Sequence, residues 1–333
     1  NSGTVASKTT PEEEEDPTET PETNKSGGTT TPTPKSGTSN PTNSGGNNNT
    51  TLTNSPEVKQ SPQNIVLPSG KKYLNLSESE RTEYVKTRLK KIAEIIGNRT
   101  SDEIPDSAVA RIKSDVTGYA NRINTPKSVG AKCKTSKLGD DLQTTYERAR
   151  DIAPAVSRAF TQEGIDPQVG LYIAMIESEY CPCVQSGTGP LGMFQFAHAA
   201  ATEFFPSEAK IVKGASMSNP DDRCTPEIAA KGSAKYVKYL MGWFGTGPAS
   251  VPLSIASYNS GQGAMRKNLL TALKSDSSLN RDFWTLIANS DKLSQQFKDE
   301  NFKYPPKFFA AAIIGENPHD FGLTLQPIST YTK

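Results

Sequence analysis

The chain has 333 residues, 34% of them hydrophobic, and a formal net charge of +1. That length allows two domains. The densest basic run, Arg88-Leu89-Lys90-Lys91, reads as a solvated helix face, which leaves no footprint for nucleic acid, and no stretch is long and apolar enough to cross a membrane as a helix.

Residues 1–64 hold only four hydrophobic side chains, Val5, Ala6, Leu52 and Val58, and the first aromatic of the chain is Tyr73. Such a segment buries too little apolar surface to offset the entropy of ordering it. The composition therefore predicts a disordered tether over 1–70, with an r.m.s. reach of roughly 45 Å if it behaves as a flexible coil. The tether carries −4, so the rest of the chain carries a small, scattered +5.

Helical patterning starts after Leu76. Ser77-Glu78-Ser79-Glu80 is a capping-box start, followed by Tyr84, Val85, Leu89, Ile92 and Ile96 on one face, with Gly97-Asn98 as the stop. A second helix follows Asp106, with Val109, Ile112, Val116, Tyr119 and Ile123 at helical spacing and Thr125-Pro126 as the close. These two are expected to form a helical accessory region over 71–139. A third helix starts near Asp140-Asp141 and passes Tyr146 and Ile152. Pro154 is expected to interrupt it before Val156 and Phe160 continue the face to Gly164.

Asp166-Pro167 then opens a helix with an N-cap acid and a first-turn proline. Its body, Val169 to Ile176, is apolar on nearly every side, so it should be central. Further helices are expected over Pro226–Trp243 with Asp222 as cap, Pro252–Tyr258, Arg281–Ala288 and Pro305–Ile314. Alternating strand patterns are scarce, so the fold class is mainly α.

The four cysteines, Cys133, Cys181, Cys183 and Cys224, suit disulfides in an oxidising compartment. Cys-x-Cys is not the usual zinc spacing and the chain has two histidines, His198 and His319, so no metal is expected. A direct Cys181–Cys183 bridge would be strained. That leaves 133–181 with 183–224, or 133–183 with 181–224.

The central helix ends in Glu177. Desolvation there disfavours the charged carboxylate and is expected to raise its proton affinity, as a general acid near neutral pH requires. Gln195, Tyr258 and Asn259 lie in nearby loops and carry amides and a phenol, groups able to pair with sugar hydroxyl and acetamido groups.

Five ordered segments strengthen that reading: "EGIDPQVGLYIAMIESEY", "TGPLGMFQF", "DDRCTPEIAAKGSAKYVKYL", "SIASYNSGQGAMRK" and "NFKYPPKFFAAAIIGENPHDFGL". Together, over residues 140–325, they resemble the lytic transglycosylases of the soluble lytic transglycosylase type, and among these the membrane-bound lytic transglycosylase D branch. The resemblance implies a lysozyme-like helical catalytic domain over 140–325, followed by a tail at 326–333. It implies peptidoglycan as the substrate, no cofactor, and Glu177 as the catalytic acid beside Ser178. Gly192, Met193, Phe194 and Gln195 fall on the family's Gly-Leu-Met-Gln motif, Tyr258 and Asn259 on its Ala-Tyr-Asn-Ala-Gly motif, and Tyr304 on its Tyr-Val-Pro-Lys motif.

Ser257, Ser260, Cys224-Thr225 and Pro305 depart from these patterns, as does Phe194, where the substrate-facing wall is expected to differ. The family's route needs one carboxylate. Glu177 protonates the bond between N-acetylmuramic acid and N-acetylglucosamine, then accepts the proton of the muramoyl C6 hydroxyl, giving a 1,6-anhydro sugar. Tyr304 would orient Glu177, with Gln195 and Asn259 holding the sugar. The rival readings are a hydrolase on the same fold with Asp221 or Asp222 as base, and a non-catalytic wall-binding protein. An exported, periplasmic location is expected, and a lipid anchor upstream of Asn1, in the outer membrane, would fit the tether.

Overall fold

The computed structural model describes residues 67, 70–97, 104–123, 133–134, 139–245, 250–299 and 301–332, all within one compact unit. Most of the expected tether lies outside the described residues, as do the stop at Asn98 and the close at Thr125-Pro126. The far end of the tether is corrected: Leu67 is buried in the core.

The described chain is helical: α1 (Glu78–Ile95), α2 (Asp106–Ala120), α3 (Leu142–Gln162), α4 (Pro167–Ser178), α5 (His198–Phe204), α6 (Pro226–Phe244), α7 (Ser250–Ser260), α8 (Gln262–Ser275), α9 (Phe283–Ala288), α10 (Gln295–Asp299) and α11 (Tyr304–Glu316). Among the described residues, β structure amounts to isolated bridges, Gln185 with Leu191 and Leu191 with Phe196. The fold is mainly α, as the patterning predicted, and consistent with a lysozyme-like helical domain.

Local chemistry explains the helix starts. Ser77 caps α1 in a capping box with Glu80, whose carboxylate takes the Ser77 N–H at 2.7 Å. Asp166 caps α4 by accepting from the Gln168 N–H at 2.9 Å, with Pro167 in the first turn. Asp141 caps α3 through the Thr144 N–H. Pro154 does not interrupt α3 as expected. The carbonyl that it leaves without a partner belongs to exposed Arg150, where water can serve, so the helix tolerates it. Asp222 does not cap α6. It starts a short 3-10 turn and accepts from the Lys210 N–H at 2.6 Å, while α6 opens on Thr225-Pro226 without a side-chain cap. The helix α8 was not foreseen, although Met265, Leu269 and Ala272 form its buried face.

α4 is central, packed against α3 and α11, and Leu171, Tyr172, Ile173 and Ala174 are all fully buried. Tyr172 on α4 hydrogen-bonds Glu316 at the end of α11, and Ser329 donates to the same carboxylate at 2.6 Å. Burial pushes the Glu316 carboxyl up, partly offset by those two donors.

α1 and α2 share this core. α2 packs on α11 more extensively than any other helix pair, and α1 also reaches α11. Arg88 corrects the expectation of a solvated basic face. It is 3% exposed and pairs with Asp320 at 3.0 Å, beside Tyr84, whose hydroxyl donates to the same carboxylate at 2.7 Å. The run Arg88–Lys91 therefore contributes Arg88 and Leu89 to the interior and Lys90 to the solvent side. Of the two open cysteine pairings, the structure holds Cys133–Cys181 and Cys183–Cys224.

Candidate active site

The site is built where α4 stops. After Glu177 and Ser178, Glu179 and Tyr180 both take left-handed backbone angles, φ 54° and φ 62°. Two consecutive non-glycine residues in that region cost about 1–2 kcal/mol each, so other contacts must hold them. Arg122 grips the Glu179 carboxylate with both terminal nitrogens at 2.9 and 2.8 Å. Arg148 donates twice to the Glu179 carbonyl at 3.1 and 3.0 Å and pairs with Asp140 at 2.7 Å. The Tyr180 ring is fully buried. The chain thus turns back sharply and leaves the Glu177 side chain half-buried at the tip of the core helix.

Tyr304, the first residue of α11, donates from Oη to Glu177 Oε1 at 2.6 Å. Burial first, and then the neighbouring Glu177 charge, holds this phenol well above its ordinary 10.0, so it stays a donor. Tyr258 on α7 is also raised by burial and by Glu177, and its hydroxyl bonds the Phe194 carbonyl at 3.0 Å and Ser233 at 3.3 Å. The structure therefore brings Glu177, Tyr258 and Tyr304, which lie far apart in the chain, to one place.

The other residues singled out from the sequence have mostly internal duties. Ser178 is 1% exposed and donates to the Ala174 carbonyl at 3.2 Å, the helix-end hydroxyl role. Gln195, 2% exposed with φ 50°, donates through Nε2 to the Val184 and Gly192 carbonyls at 2.8 and 2.6 Å, bracing the turn. Asn259 accepts from Asn301 at 3.2 Å. Met193 and Phe194 are 0% and 1% exposed. The expectation that Phe194 forms a substrate-facing wall is corrected: its ring lies in the core, 6.4 Å from that of Phe160.

Gly192 has a different reason to be glycine. Its φ is +87°, and a Cβ there would lie 1.8 Å from the Arg223 carbonyl oxygen. Gly192→Ala is expected to cost more than about 2 kcal/mol, read as a lower urea midpoint with an unchanged slope. A midpoint equal to that of the parent chain would contradict this packing.

A cavity of about 510 Å³ opens at Glu177, and α2 forms its far wall. Ser114, Asp115, Gly118 and Tyr119 line it from α2, Arg122 from the turn that follows, and Lys307 from α11, whereas Gln195, Tyr258 and Asn259 do not. Burial pushes the Asp115 carboxyl up, opposed by Arg111, its partner at 3.3 Å, and by Lys307. Sequence reasoning missed this wall. One available signal was Gly118, a costly residue inside a helix, and a Cβ there would meet open space.

Among the carboxylates that might share the work with Glu177, Asp115 lines the same cavity, paired with Arg111, and Asp222 accepts from the Lys210 N–H and the Thr225 hydroxyl. Glu179 is held by Arg122, as above. The Asp221 side chain is fully buried and accepts from the Val212 N–H, the Arg223 N–H and the Arg223 guanidinium. Burial alone would push this carboxyl up, but those donors more than offset it and the net position is below its ordinary 3.8.

A half-buried carboxyl at the tip of a core helix, held by a phenol and opening on a polar cavity, defines a candidate site for acid–base chemistry on a polar substrate. Residues 154–280 match the family model described as the transglycosylase SLT domain. Over 115 residues the chain is 31% identical to the peptidoglycan transglycosylase gp16 of Escherichia phage T7, a stretch equal to 34% of this chain and 8% of the phage protein. The chain thus spans a small fraction of that relative's length. The family match includes Glu177, Gln195, Tyr258 and Asn259, and excludes Tyr304, α1 and α2.

Proposed function

We propose that this protein is a lytic transglycosylase that cleaves peptidoglycan glycan strands, with Glu177 as acid and then base. The observation that carries this reading is the 2.6 Å hydrogen bond from Tyr304 to Glu177, at the end of a core helix inside the segment that matches the SLT domain. Glu177 gives its proton to the oxygen linking N-acetylmuramic acid to N-acetylglucosamine, and the C1–O bond breaks. The neighbouring acetamido group stabilises the cationic centre. The Glu177 carboxylate then takes the proton of the muramoyl C6 hydroxyl, whose oxygen closes on C1 to give the 1,6-anhydro product. The proton count balances and no water is consumed.

One carboxylate suffices for this route, whereas the water-using route needs a second group to activate water. The engagement of Glu179 and Asp221 supports the first, and Asp115, which also lines the cavity, is paired with Arg111. Tyr304 acts as a positioning residue and Tyr258 shapes the site. Gln195 and Asn259 contribute by bracing the surrounding loops. The assignment to the D branch rests on motif order alone. An exported, envelope location follows from the substrate, and the two disulfides fit an oxidising compartment. Among the described residues, no helix is long and apolar enough to cross a membrane.

The test is release of soluble glycan fragments from purified peptidoglycan by the full chain. Steady release supports the proposal, and no release from several wall types would overturn it in favour of a wall-binding role. Tyr304→Phe is expected to slow that release roughly ten- to hundredfold, because it removes one hydrogen bond to a charged group. A rate within twofold of the parent chain would refute the positioning role of Tyr304.

A further inference from the structure

A series of aromatic rings runs outward along α6. Tyr236, the inner ring, is 7% exposed, packs 5.2 Å from Tyr258, and feels the charge of Glu177. Tyr239 lies 6.4 Å further with its ring nearly parallel, and Trp243 lies 6.3 Å beyond that. Exposure rises along the series to 37% at Tyr239 and 46% at Trp243. Phe204 of α5 supports the first two rings at 4.8 and 5.3 Å, and Gln262 donates to the Tyr239 hydroxyl at 3.1 Å.

A single exposed tryptophan needs no explanation. Here, however, the exposed rings repeat on one helix face, and the series is anchored through buried Tyr236 to Tyr258 beside Glu177. From Tyr239 to Trp243 the helix advances about 6 Å, and the ring centroids lie 6.3 Å apart, a spacing that suits neighbouring sugar rings. Sugar rings present apolar C–H faces that stack on aromatic rings and polar edges that need donors and acceptors. Exposed Tyr and Trp supply an apolar body with a polar tip, and the Gln262 amide adds a second polar group beside Tyr239.

We propose that Tyr239 and Trp243 form a remote glycan subsite, which holds a β-1,4-linked N-acetylhexosamine chain as it leaves the site at Glu177. The proposal rests on the glycan-cleaving reading above and adds to it a preference for long strands.

The test titrates the full chain with soluble hexameric and dimeric β-1,4-linked N-acetylglucosamine, followed by calorimetry and tryptophan emission. The chain has two tryptophans, and Trp284 is buried at 3% exposure, so a surface signal reports on Trp243. The hexamer is expected to change the emission saturably, and Trp243→Phe should abolish that change. Tyr239→Ala and Trp243→Ala should each weaken hexamer affinity about five- to tenfold relative to dimer affinity. Hexamer affinity unchanged in both variants, with peptidoglycan still cleaved, would overturn the subsite alone. So would cleavage by a parent chain that shows no hexamer binding. Neither binding nor cleavage by the parent chain would overturn the functional proposal as well.

Discussion

Glu177→Gln is expected to melt at the temperature of the parent chain and to release glycan fragments roughly 10²–10⁴-fold more slowly. The substitution keeps the shape of the side chain and an oxygen that can accept from Tyr304, so the 2.6 Å contact has a counterpart in the variant. It removes the transferable proton and the carboxylate that must later receive one. A thermal melt together with fragment release from purified peptidoglycan separates folding from chemistry. Release near the rate of the parent chain would remove Glu177 from the proposed mechanism.

The second large effect is on stability. Arg223→Met is expected to cost about 3–5 kcal/mol, because it leaves the fully buried Asp221 carboxylate without its cation. Arg223 also donates to the Phe196 carbonyl at 3.1 Å, and its own carbonyl sits against Gly192, so it joins the turn below the site to the 3-10 turn before α6. The melting temperature should fall by roughly 6–20 °C for a unit of this size.

The pH dependence supplies a sign. In the parent chain Asp221 sits below its ordinary 3.8, so its contribution is present above that pH and is lost as pH falls through the folded value. In the variant, an unpaired buried carboxylate is relieved by protonation. The gap in melting temperature should therefore narrow from pH 7 towards pH 4. A gap that does not change with pH, or a shift under 2 °C, would show that the pair matters little.

What could be read in advance follows a physical division. Local chemistry was legible: the capping box at Ser77 and Glu80, the Asp166-Pro167 start of α4, and the apolar run that brings Glu177 to the end of a core helix. Features decided by distant partners were not. Arg88 looked like a surface charge because its partner, Asp320, lies 232 residues further along the chain. Gln195 looked like a sugar contact and Phe194 like part of a substrate-facing wall, yet side-chain direction turned them inward to brace and to pack. The α2 wall of the cavity had only the helix-interior Gly118 as a local signal, and such a signal does not say which helix will face a site. Pro154 and Asp222 were misread for a related reason. A proline is tolerated where the residue whose carbonyl it cannot bond is exposed, and an acid before a helix is not a cap when another N–H claims it.

The most direct test of the proposed mechanism is to digest purified peptidoglycan in heavy-oxygen water and weigh the released muropeptides. The single-carboxylate route predicts anhydro ends, one water lighter than reducing ends and free of solvent oxygen. Reducing ends that carry the heavy oxygen would contradict it and establish a hydrolase. Attention would then turn to Asp115, the carboxylate that faces Glu177's cavity from α2.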